Sequence, residues 1–205
     1  QLCTNYSIKP SPIRLLSLLL NLSFEFNDQI ISQFYPIFTK IFNNCSDPDL
    51  QTKFLDETIC ESILFLLKVI ATLPNITFPF ELFFPKIFYF IPFVEYFPSN
   101  SDILYYLPKL PRNPNFSKLS PYFDDLFACL IRTISLSEDT ICEIGIDSKS
   151  FSGVVKFAFE MLRAQQSRIQ IIKEIASENQ DKIDNIQSRL NDIARNPNFL
   201  QLDEI

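Results

Sequence analysis

Residues 29–44, QIISQFYPIFTKIFNN, decide the class of fold that this sequence adopts. Their large apolar side chains recur at intervals of three and four residues, at Ile30, Phe34, Ile37, Phe38, Ile41 and Phe42. That spacing places the apolar side chains on one face of a helix and leaves the polar ones on the other. We therefore expect an amphipathic α-helix here, within an all-α chain.

Four further stretches have helical patterns. Residues 12–24 are apolar on nearly every side, which is typical of a buried helix. Residues 49–73 and 119–135 each carry one apolar face and are bounded by capping or helix-breaking residues. Residues 79–97 combine dense Phe and Tyr with three- and four-residue spacing, so we expect one or two proline-interrupted helices, with a strand as the alternative.

The composition of the 205-residue chain excludes several classes of protein. Only 2 glycines are present beside 22 phenylalanines, so neither a multi-stranded sheet with tight turns nor a glycine-rich phosphate loop is expected. No histidine is present, which excludes histidine-dependent triads and metal sites within this chain. A net charge of −6 disfavours nucleic-acid binding and suits a basic partner.

Five prolines between residues 98 and 121, with Asn and Ser among them, predict a long loop. This Pro-rich stretch carries three cations, Lys109, Arg112 and Lys118, and no acidic residue lies between Asp102 and Asp124. The three cations are candidate contacts for an acidic partner. A solvated loop surface with no binding role is the alternative.

Three segments resemble one another: QFYPIFTKIFNNCSDPDL (33–50), LFFPKIFYFIPFVEYFPSNSDI (82–103) and LSPYFDDLFACLIRTISLSEDTI (119–141). Each has an apolar start, a proline, an apolar helical pattern, a break rich in Ser, Asn or Asp, and a new helix. Their prolines, Pro36, Pro85 and Pro121, are 49 and 36 residues apart. The segments resemble the second helices of HEAT and armadillo repeats, whose period is about 40–47 residues.

The resemblance implies an α-solenoid over residues 12–146, in which each helix pair buries its apolar face against its neighbours. An irregular helical bundle is the alternative. We therefore expect residues 1–146 to form a helical-repeat body that includes the Pro-rich stretch as a loop. Residues 147–205 then form a second region.

One long C-terminal helix is expected over residues 150–195, because neither Pro nor Gly occurs there after Gly153. With Leu162 at position a of a heptad, seven large aliphatic side chains occupy a and d positions: Leu162, Ile169, Ile172, Ile183, Ile186, Leu190 and Ile193. This period predicts a coiled coil with a second copy or with an antiparallel helix of another protein. The alternative is a terminal helix that buries the stripe against its own chain.

Cysteine and sequon patterns bear on the location of the protein. Five cysteines are widely spaced without a CxxC pair, which favours reduced thiols and a cytoplasmic location. Five N-x-S/T sequons support the alternative of a secreted glycoprotein, at Asn5, Asn21, Asn44, Asn75 and Asn115. The apolar stretch 76–98 contains three charged residues and several prolines, so no membrane span is expected.

The sequence predicts a non-catalytic interaction scaffold, whose solenoid surface binds a partner protein and whose C-terminal helix mediates assembly. We expect no enzymatic activity, cofactor or metal ion, because the sequence contains no catalytic or metal-ligating constellation. One alternative is a secreted or surface helical glycoprotein that binds an apolar ligand through the Phe-rich residues 78–97. Another is an enzyme whose catalytic groups come from another subunit or from another part of the chain.

Overall fold

The computed structural model describes residues 28–44, 53–73, 78–177 and 179–195. Within these ranges the chain is helical, and none of the described residues forms a β-strand. The all-α class is therefore confirmed for this part of the chain, and residues 79–97 contain a helix rather than the alternative strand. The helix expected over residues 12–24 lies outside the described ranges.

The helices are numbered in chain order. The first four are α1 (Asp28–Ser32), α2 (Tyr35–Asn44), α3 (Lys53–Thr72) and α4 (Phe80–Phe90). The next four are α5 (Asn100–Tyr106), α6 (Phe123–Ile134), α7 (Glu138–Glu143) and α8 (Ser148–Ala164). They are followed by α9 (Ile169–Ile175) and α10 (Gln180–Arg195). Within the described ranges, 3-10 helices cover Leu107–Arg112, Phe116–Tyr122 and Gln166–Arg168.

The described residues divide into two compact units. Unit 1 comprises the described residues as far as Ile87 together with Lys109–Leu119. Unit 2 comprises Phe88–Pro108 together with the described residues from Ser120 onward. This division differs from the expected boundary after residue 146, because α5 packs against α8 and so belongs with the C-terminal helices.

Pro36 divides the first predicted helix into two. The pattern over residues 29–44 is confirmed as helical, but α1 ends at Ser32 and α2 begins three residues later. Proline has no N–H to donate to the Ser32 carbonyl, so the chain makes a turn in which Phe34 N–H donates to the Ile31 carbonyl at 2.9 Å. The expected apolar face is buried at Phe38, Ile41 and Phe42.

Phenylalanine rings fill the interior of unit 1. Phe78, Phe80, Phe83 and Phe84 contact one another in pairs, with ring centroids 5.2–5.9 Å apart. Phe42 of α2 also reaches Phe83, at 6.1 Å. Such distances are typical of close-packed aromatic rings. Within unit 1, this part of the Phe-rich stretch therefore forms packed core rather than the walls of a ligand cavity.

The Pro-rich stretch 98–121 is helical, so the prediction of a loop is wrong. It contains α5, the whole of the 3-10 helix Leu107–Arg112 and all but the last residue of the 3-10 helix Phe116–Tyr122. Proline fixes φ near about −65°, which a 3-10 helix also requires, so these prolines fit into short helical turns. In unit 1, the buried Asn113 amide donates to the Ile70 carbonyl at 2.6 Å and fastens the stretch to α3.

The prolines of the repeat-like segments occupy three different structural positions. Pro36 is the second residue of α2, Pro85 lies in the interior of α4, and Pro121 lies in a 3-10 helix ahead of α6. The three prolines therefore do not mark equivalent positions relative to the starts of their helices. The assignment to HEAT or armadillo repeats stays a prediction.

Helix α8 is central to unit 2. It packs against α5, α6 and α10, and α6 packs in addition against α9 and α10. The buried side chains of these two helices include Leu126, Phe127 and Leu130 on α6, and Val154, Phe157 and Ala158 on α8. Removing apolar surface from water contributes about 25 cal/mol per Å², so this interior is a main source of the stability of unit 2.

The prediction of a single long C-terminal helix is wrong. α8 ends at Ala164, Gln165 adopts an extended backbone, and α9 and α10 follow as separate helices after a 3-10 turn. The buried Arg168 guanidinium stabilises this break. It donates to Asp124 Oδ1 of α6 at 3.1 Å and to the Met161 carbonyl at 2.8 Å. In a continuous helix the Met161 carbonyl would lie about two turns from Arg168, out of reach of its side chain.

The seven heptad aliphatics do not form one exposed seam. Ile186 and Ile193 are buried, and their helix α10 packs against α6 and α8 of its own chain. Ile169 on α9 is 54% exposed. The others are half-buried on three helices: Leu162, Ile172, Ile183 and Leu190. For α10 the fold follows the alternative of packing against its own chain, and assembly through the stripe stays a prediction.

Asp147 caps the N-terminus of α8. Its Oδ1 accepts hydrogen bonds from the backbone N–H groups of Lys149 and Ser150, both at 2.9 Å. Its Oδ2 accepts from the hydroxyls of Ser150, at 2.7 Å, and Ser101. Burial raises the pKa of Asp147, but the hydrogen bonds from Ser101, Ser150 and Lys149 outweigh this and hold the pKa below its usual value.

We expect Asp147→Ala to lower the free energy of unfolding at pH 7 by about 1 kcal/mol, because the first turn of α8 loses its cap. A carboxyl whose pKa is lowered by folding stabilises the protein fully only at pH values above its pKa in the unfolded state, which is about 3.9 for Asp. The difference between wild type and variant should therefore shrink as the pH falls below about 4. Urea unfolding followed by circular dichroism at pH 7 and pH 3 measures it, and an equal difference at both pH values would contradict this account.

Candidate functional site

Unit 2 exposes an apolar segment that begins in the last turn of α4 and continues beyond it. Tyr89 is 78% exposed, Val94 is 76% exposed and Tyr96 is 61% exposed, which are the largest values among the large apolar side chains that the structure describes. Ile91 and Phe97 between and beside them are buried. We call residues 89–96 the aromatic segment. A contiguous cluster of exposed apolar side chains often marks an interaction surface, whereas single exposed apolar residues are common on any protein.

Arg132 of α6 fixes the start of the aromatic segment. Its Nη2 donates to the Ile91 carbonyl at 3.1 Å and also to the Phe88 carbonyl. These carbonyls lie at the C-terminal end of α4, where a cation satisfies unpaired acceptors and complements the helix dipole. The backbone that carries Tyr89 is therefore held to α6.

Asn100 of α5 fixes the end of the aromatic segment. Its buried side-chain amide donates to the carbonyls of Glu95 and Ile144, both at 2.8 Å. One amide group thus ties the segment to the turn after α7. The exposed side chains are therefore carried on a backbone that is held at both ends, with Tyr89 in α4 and Val94 and Tyr96 in the irregular chain that follows.

Gly145 lies under the ring of Tyr96 and needs to be glycine for two reasons. Its φ is 76°, in the left-handed region that side chains with a Cβ rarely adopt. A Cβ at this position would lie 2.5 Å from Tyr96 Cε2. The turn therefore supports Tyr96 only while residue 145 has no side chain.

We expect Gly145→Ala to lower the free energy of unfolding by about 2 kcal/mol, through left-handed strain and displacement of Tyr96. Gly153→Ala is a matched control, because Gly153 lies inside α8 and its added Cβ would meet Pro108 Cγ at an ordinary 3.5 Å. Alanine is the better helix former, so this variant should gain about 0.5–1 kcal/mol. Urea unfolding of both variants checks the pair, and equal effects would overturn the interpretation of the turn.

A groove of about 620 Å³ runs beside the aromatic segment within unit 2. One side is formed by the aromatic segment, with Tyr89, Ile91, Pro92 and Val94. The α6–α7 region contributes Arg132, Ser135, Leu136, Ser137 and Thr140. The end of α9 and the start of α10 contribute Ile175, Asn179, Asp181, Lys182 and Asn185. The groove thus combines apolar side chains with charged, amide and hydroxyl groups.

Arg189 fastens α10, and with it the groove-lining side chains of α10, to the end of α6. Its Nη1 donates to the Ile134 and Leu136 carbonyls, both at 2.6 Å, and its guanidinium carbon lies 4.7 Å from the centre of the Phe151 ring. Burial lowers the pKa of Arg189, and the charge of Glu138 partly offsets this. One half-buried side chain therefore joins three elements of unit 2.

The three cations that the sequence predicts as partner contacts are not part of the groove. Lys109 and Arg112 belong to one 3-10 helix and Lys118 to the next, all within unit 1. Arg112 and Lys118 are exposed, whereas Lys109 is half-buried. None of the three lines the groove, and neither does any of the seven heptad aliphatics. The structure leaves both sets of residues as predictions.

The sequence predicts residues 89–96 only as part of the Phe-rich stretch 78–97, the alternative site for an apolar ligand, and not as an exposed surface. The stretch YFIPFVEY, residues 89–96, contains more apolar side chains than one helical stripe can bury, and Pro92 interrupts the helical period there. That excess is the signal that predicts exposed apolar residues. Asn179, Lys182 and Asn185 have no such signal, because their place beside the segment depends on tertiary packing.

The described residues offer little for catalysis or metal binding. Burial raises the pKa of the Cys129 thiol to about 12, against a smaller opposing effect of Arg132, so this thiol stays protonated and unreactive. No group of three or more potential metal-ligating side chains occurs in the described part of the chain. Over the same residues, no helix has the length and apolar character that crossing a membrane requires.

Comparisons with known proteins give no assignment. No family model matches the sequence, and no match is found among curated proteins or solved structures. What the chain does is therefore inferred from the geometry of its own residues. The aromatic segment and the groove are the features that point to a function.

Proposed function

We propose that this chain is a non-catalytic protein-interaction module, and that the aromatic segment and groove of unit 2 bind a partner protein. One observation carries the proposal: Tyr89 and Val94 are each more than three-quarters exposed and line a groove to which α6 and α10 contribute charged and amide side chains. Large apolar side chains held in water cost free energy unless another surface covers them.

The chemistry of the segment suits a protein partner. Tyrosine is among the residues that contribute most at protein interfaces, because its ring buries a large area and its hydroxyl stays hydrogen-bonded. The polar side chains of α10 would form the rim that surrounds such an apolar centre. A catalytic pocket would instead need convergent reactive groups, which this groove does not contain.

Anchoring of the segment supports the proposal. Arg132 and Asn100 hold the backbone on either side of Tyr89 and Val94. A surface that is ordered before binding loses less conformational entropy when a partner docks. The expected partner is therefore a folded protein or a segment that orders on a preformed groove.

We also propose a reducing, cytoplasmic location. Cys129 is a free thiol in the interior, and Cys142 is a free thiol at the surface. Exposed unpaired thiols are uncommon in secreted proteins, where they oxidise. Of the sequons, Asn115 lies within the described residues with its side chain half-buried, which does not favour glycosylation there.

Site-specific photo-cross-linking tests the proposed function. A benzophenone amino acid at position 89 or 94 of the full chain, expressed in cells, should form adducts with one protein and map to one stretch of it. Position 169 is the matched control, because Ile169 is also an exposed aliphatic side chain of unit 2 but does not line the groove. Identical adducts at positions 89 and 169, or none at 89 and 94, would contradict the proposal.

A further inference from the structure

The geometry points to a partner of defined chemistry: the groove of unit 2 takes a protein segment in which a carboxylate side chain adjoins large apolar side chains. This inference rests on the proposed function and specifies the partner for the same site. It is carried by the charges and the apolar side chains that line the groove.

The cations of the groove outnumber its carboxylates. Arg132 and Lys182 line it together with a single acidic residue, Asp181. Asp181 lies in the first turn of α10, where the positive end of the helix dipole offsets part of its negative charge. The side chains that line the groove therefore carry one more positive than negative charge, although the chain as a whole carries a net charge of −6.

Lys182 is the cation that is available to a ligand. Among the residues that the structure describes, its ammonium has no hydrogen-bonding or ion-pair partner, and the side chain is exposed. Arg132 already donates to the carbonyls at the end of α4, but its charge remains and its side chain is only half exposed. A carboxylate that enters the groove would meet one free cation and one fixed, partly desolvated cation.

Hydroxyl groups add to the same side. Ser137 Oγ and Thr140 Oγ1 lie 2.8 Å apart and share one hydrogen bond, so one of the two hydroxyl hydrogens is free to be donated to a ligand. Both residues line the groove. The groove therefore offers a hydroxyl donor in addition to its two cations.

The apolar side chains of the groove determine which side chains the ligand needs beside its carboxylate. Tyr89, Pro92 and Val94 present an aromatic ring and two aliphatic surfaces along one edge of the groove. They would cover an aliphatic or aromatic side chain of the partner next to its carboxylate. A basic segment, which the net charge of the whole chain would favour, would place its charge beside Arg132 and Lys182 and be repelled.

Three matched peptides test the charge preference. The probes are fluorescein-labelled GSFLDLEIGS, its neutral counterpart GSFLNLQIGS and its basic counterpart GSFLKLRIGS, each titrated with the full chain and followed by fluorescence anisotropy. We expect the acidic peptide to bind at least about tenfold more tightly than the basic one. Equal or tighter binding of the basic peptide would overturn the inference.

Charge variants of the full chain locate the effect. Lys182→Glu should weaken binding of the acidic peptide about tenfold or more. Lys149→Glu changes the net charge equally at an exposed position that does not line the groove, and should leave the affinity within about twofold. The same loss in both variants would mean that only overall charge matters, and would also overturn the inference.

The test separates this inference from the proposed function. If cross-linking at position 89 captures a partner segment that is neutral or basic, the partner chemistry inferred here is wrong while the interaction surface stands. If positions 89 and 94 capture no partner, the proposed function itself fails. An acidic, apolar cross-linked segment whose binding is weakened by Lys182→Glu supports both.

Discussion

We expect Phe83→Ala to lower the free energy of unfolding by about 3–5 kcal/mol. Phe83 is completely buried in unit 1, and its ring contacts those of Tyr35, Phe42 and Phe78 at centroid distances of 5.7–6.1 Å. Truncation removes the transfer free energy of the ring and leaves a cavity that the three aromatic neighbours cannot easily fill. Urea unfolding followed by far-UV circular dichroism measures the loss.

Leu82→Ala is the matched control for Phe83. Leu82 precedes Phe83 in α4 but is 39% exposed, so its truncation should cost no more than about 1 kcal/mol. If the Phe-rich residues lined an open ligand cavity, Phe83→Ala would cost little more than the control. A large difference between the two variants therefore supports a packed core.

Arg189→Ala should be the second strongly destabilising change, by about 3 kcal/mol. It removes both hydrogen bonds to the Ile134 and Leu136 carbonyls and the contact with the Phe151 ring. The carbonyls at the end of α6 lose their partner, and α10 keeps only its packed side chains. Hydrogen exchange should show faster exchange of the α10 amides, in addition to the lower free energy of unfolding.

Two further variants define the role of Arg189. Arg195→Ala removes an exposed cation from the last turn of the same helix and should change the free energy of unfolding by about 0.5 kcal/mol or less. Arg189→Lys keeps the charge but loses the planar fork, so its stability should lie between those of wild type and Arg189→Ala. If the alanine variants at positions 189 and 195 behave alike, Arg189 does not fasten α10.

Helices were predictable wherever local pattern and tertiary packing agree. The apolar spacing in residues 29–44 and 119–135 reports the faces that are buried, and Ser137 caps α7 by accepting a hydrogen bond from the Thr140 N–H at 3.1 Å. Asp124 and Asp125 occupy the first turn of α6, where their negative charges complement the helix dipole. These features depend on neighbours within one or two turns.

Predictions failed where distant residues decide the backbone. Residues 150–195 have a continuous helical pattern, yet the chain breaks at Gln165, where Arg168 turns toward Asp124 and the Met161 carbonyl. Heptad spacing shows that an apolar stripe is buried, but not what buries it. A helix of a partner and the chain's own α6 and α8 can cover the same aliphatic side chains. The prolines of residues 98–121 predict a loop, although a 3-10 helix accepts their φ.

The candidate site could be predicted only in part. The apolar excess of residues 89–96 is visible in the sequence, and Pro92 marks the end of α4. The groove itself requires α10 to lie beside that segment, which depends on hydrogen bonds made across 50 or more residues, such as Asn185 to the Ser135 carbonyl and Arg189 to the Leu136 carbonyl. No local pattern encodes such contacts.

The most direct test of the central claim is the dissociation constant of the partner segment that position 89 cross-links, measured with the purified full chain. We expect the double variant Tyr89→Ser/Val94→Ser to bind at least about thirtyfold more weakly, because two anchoring side chains are removed from the interface. Ile169→Ser should bind within about twofold of wild type, since Ile169 does not line the groove. Wild-type affinity in the double variant would contradict the account.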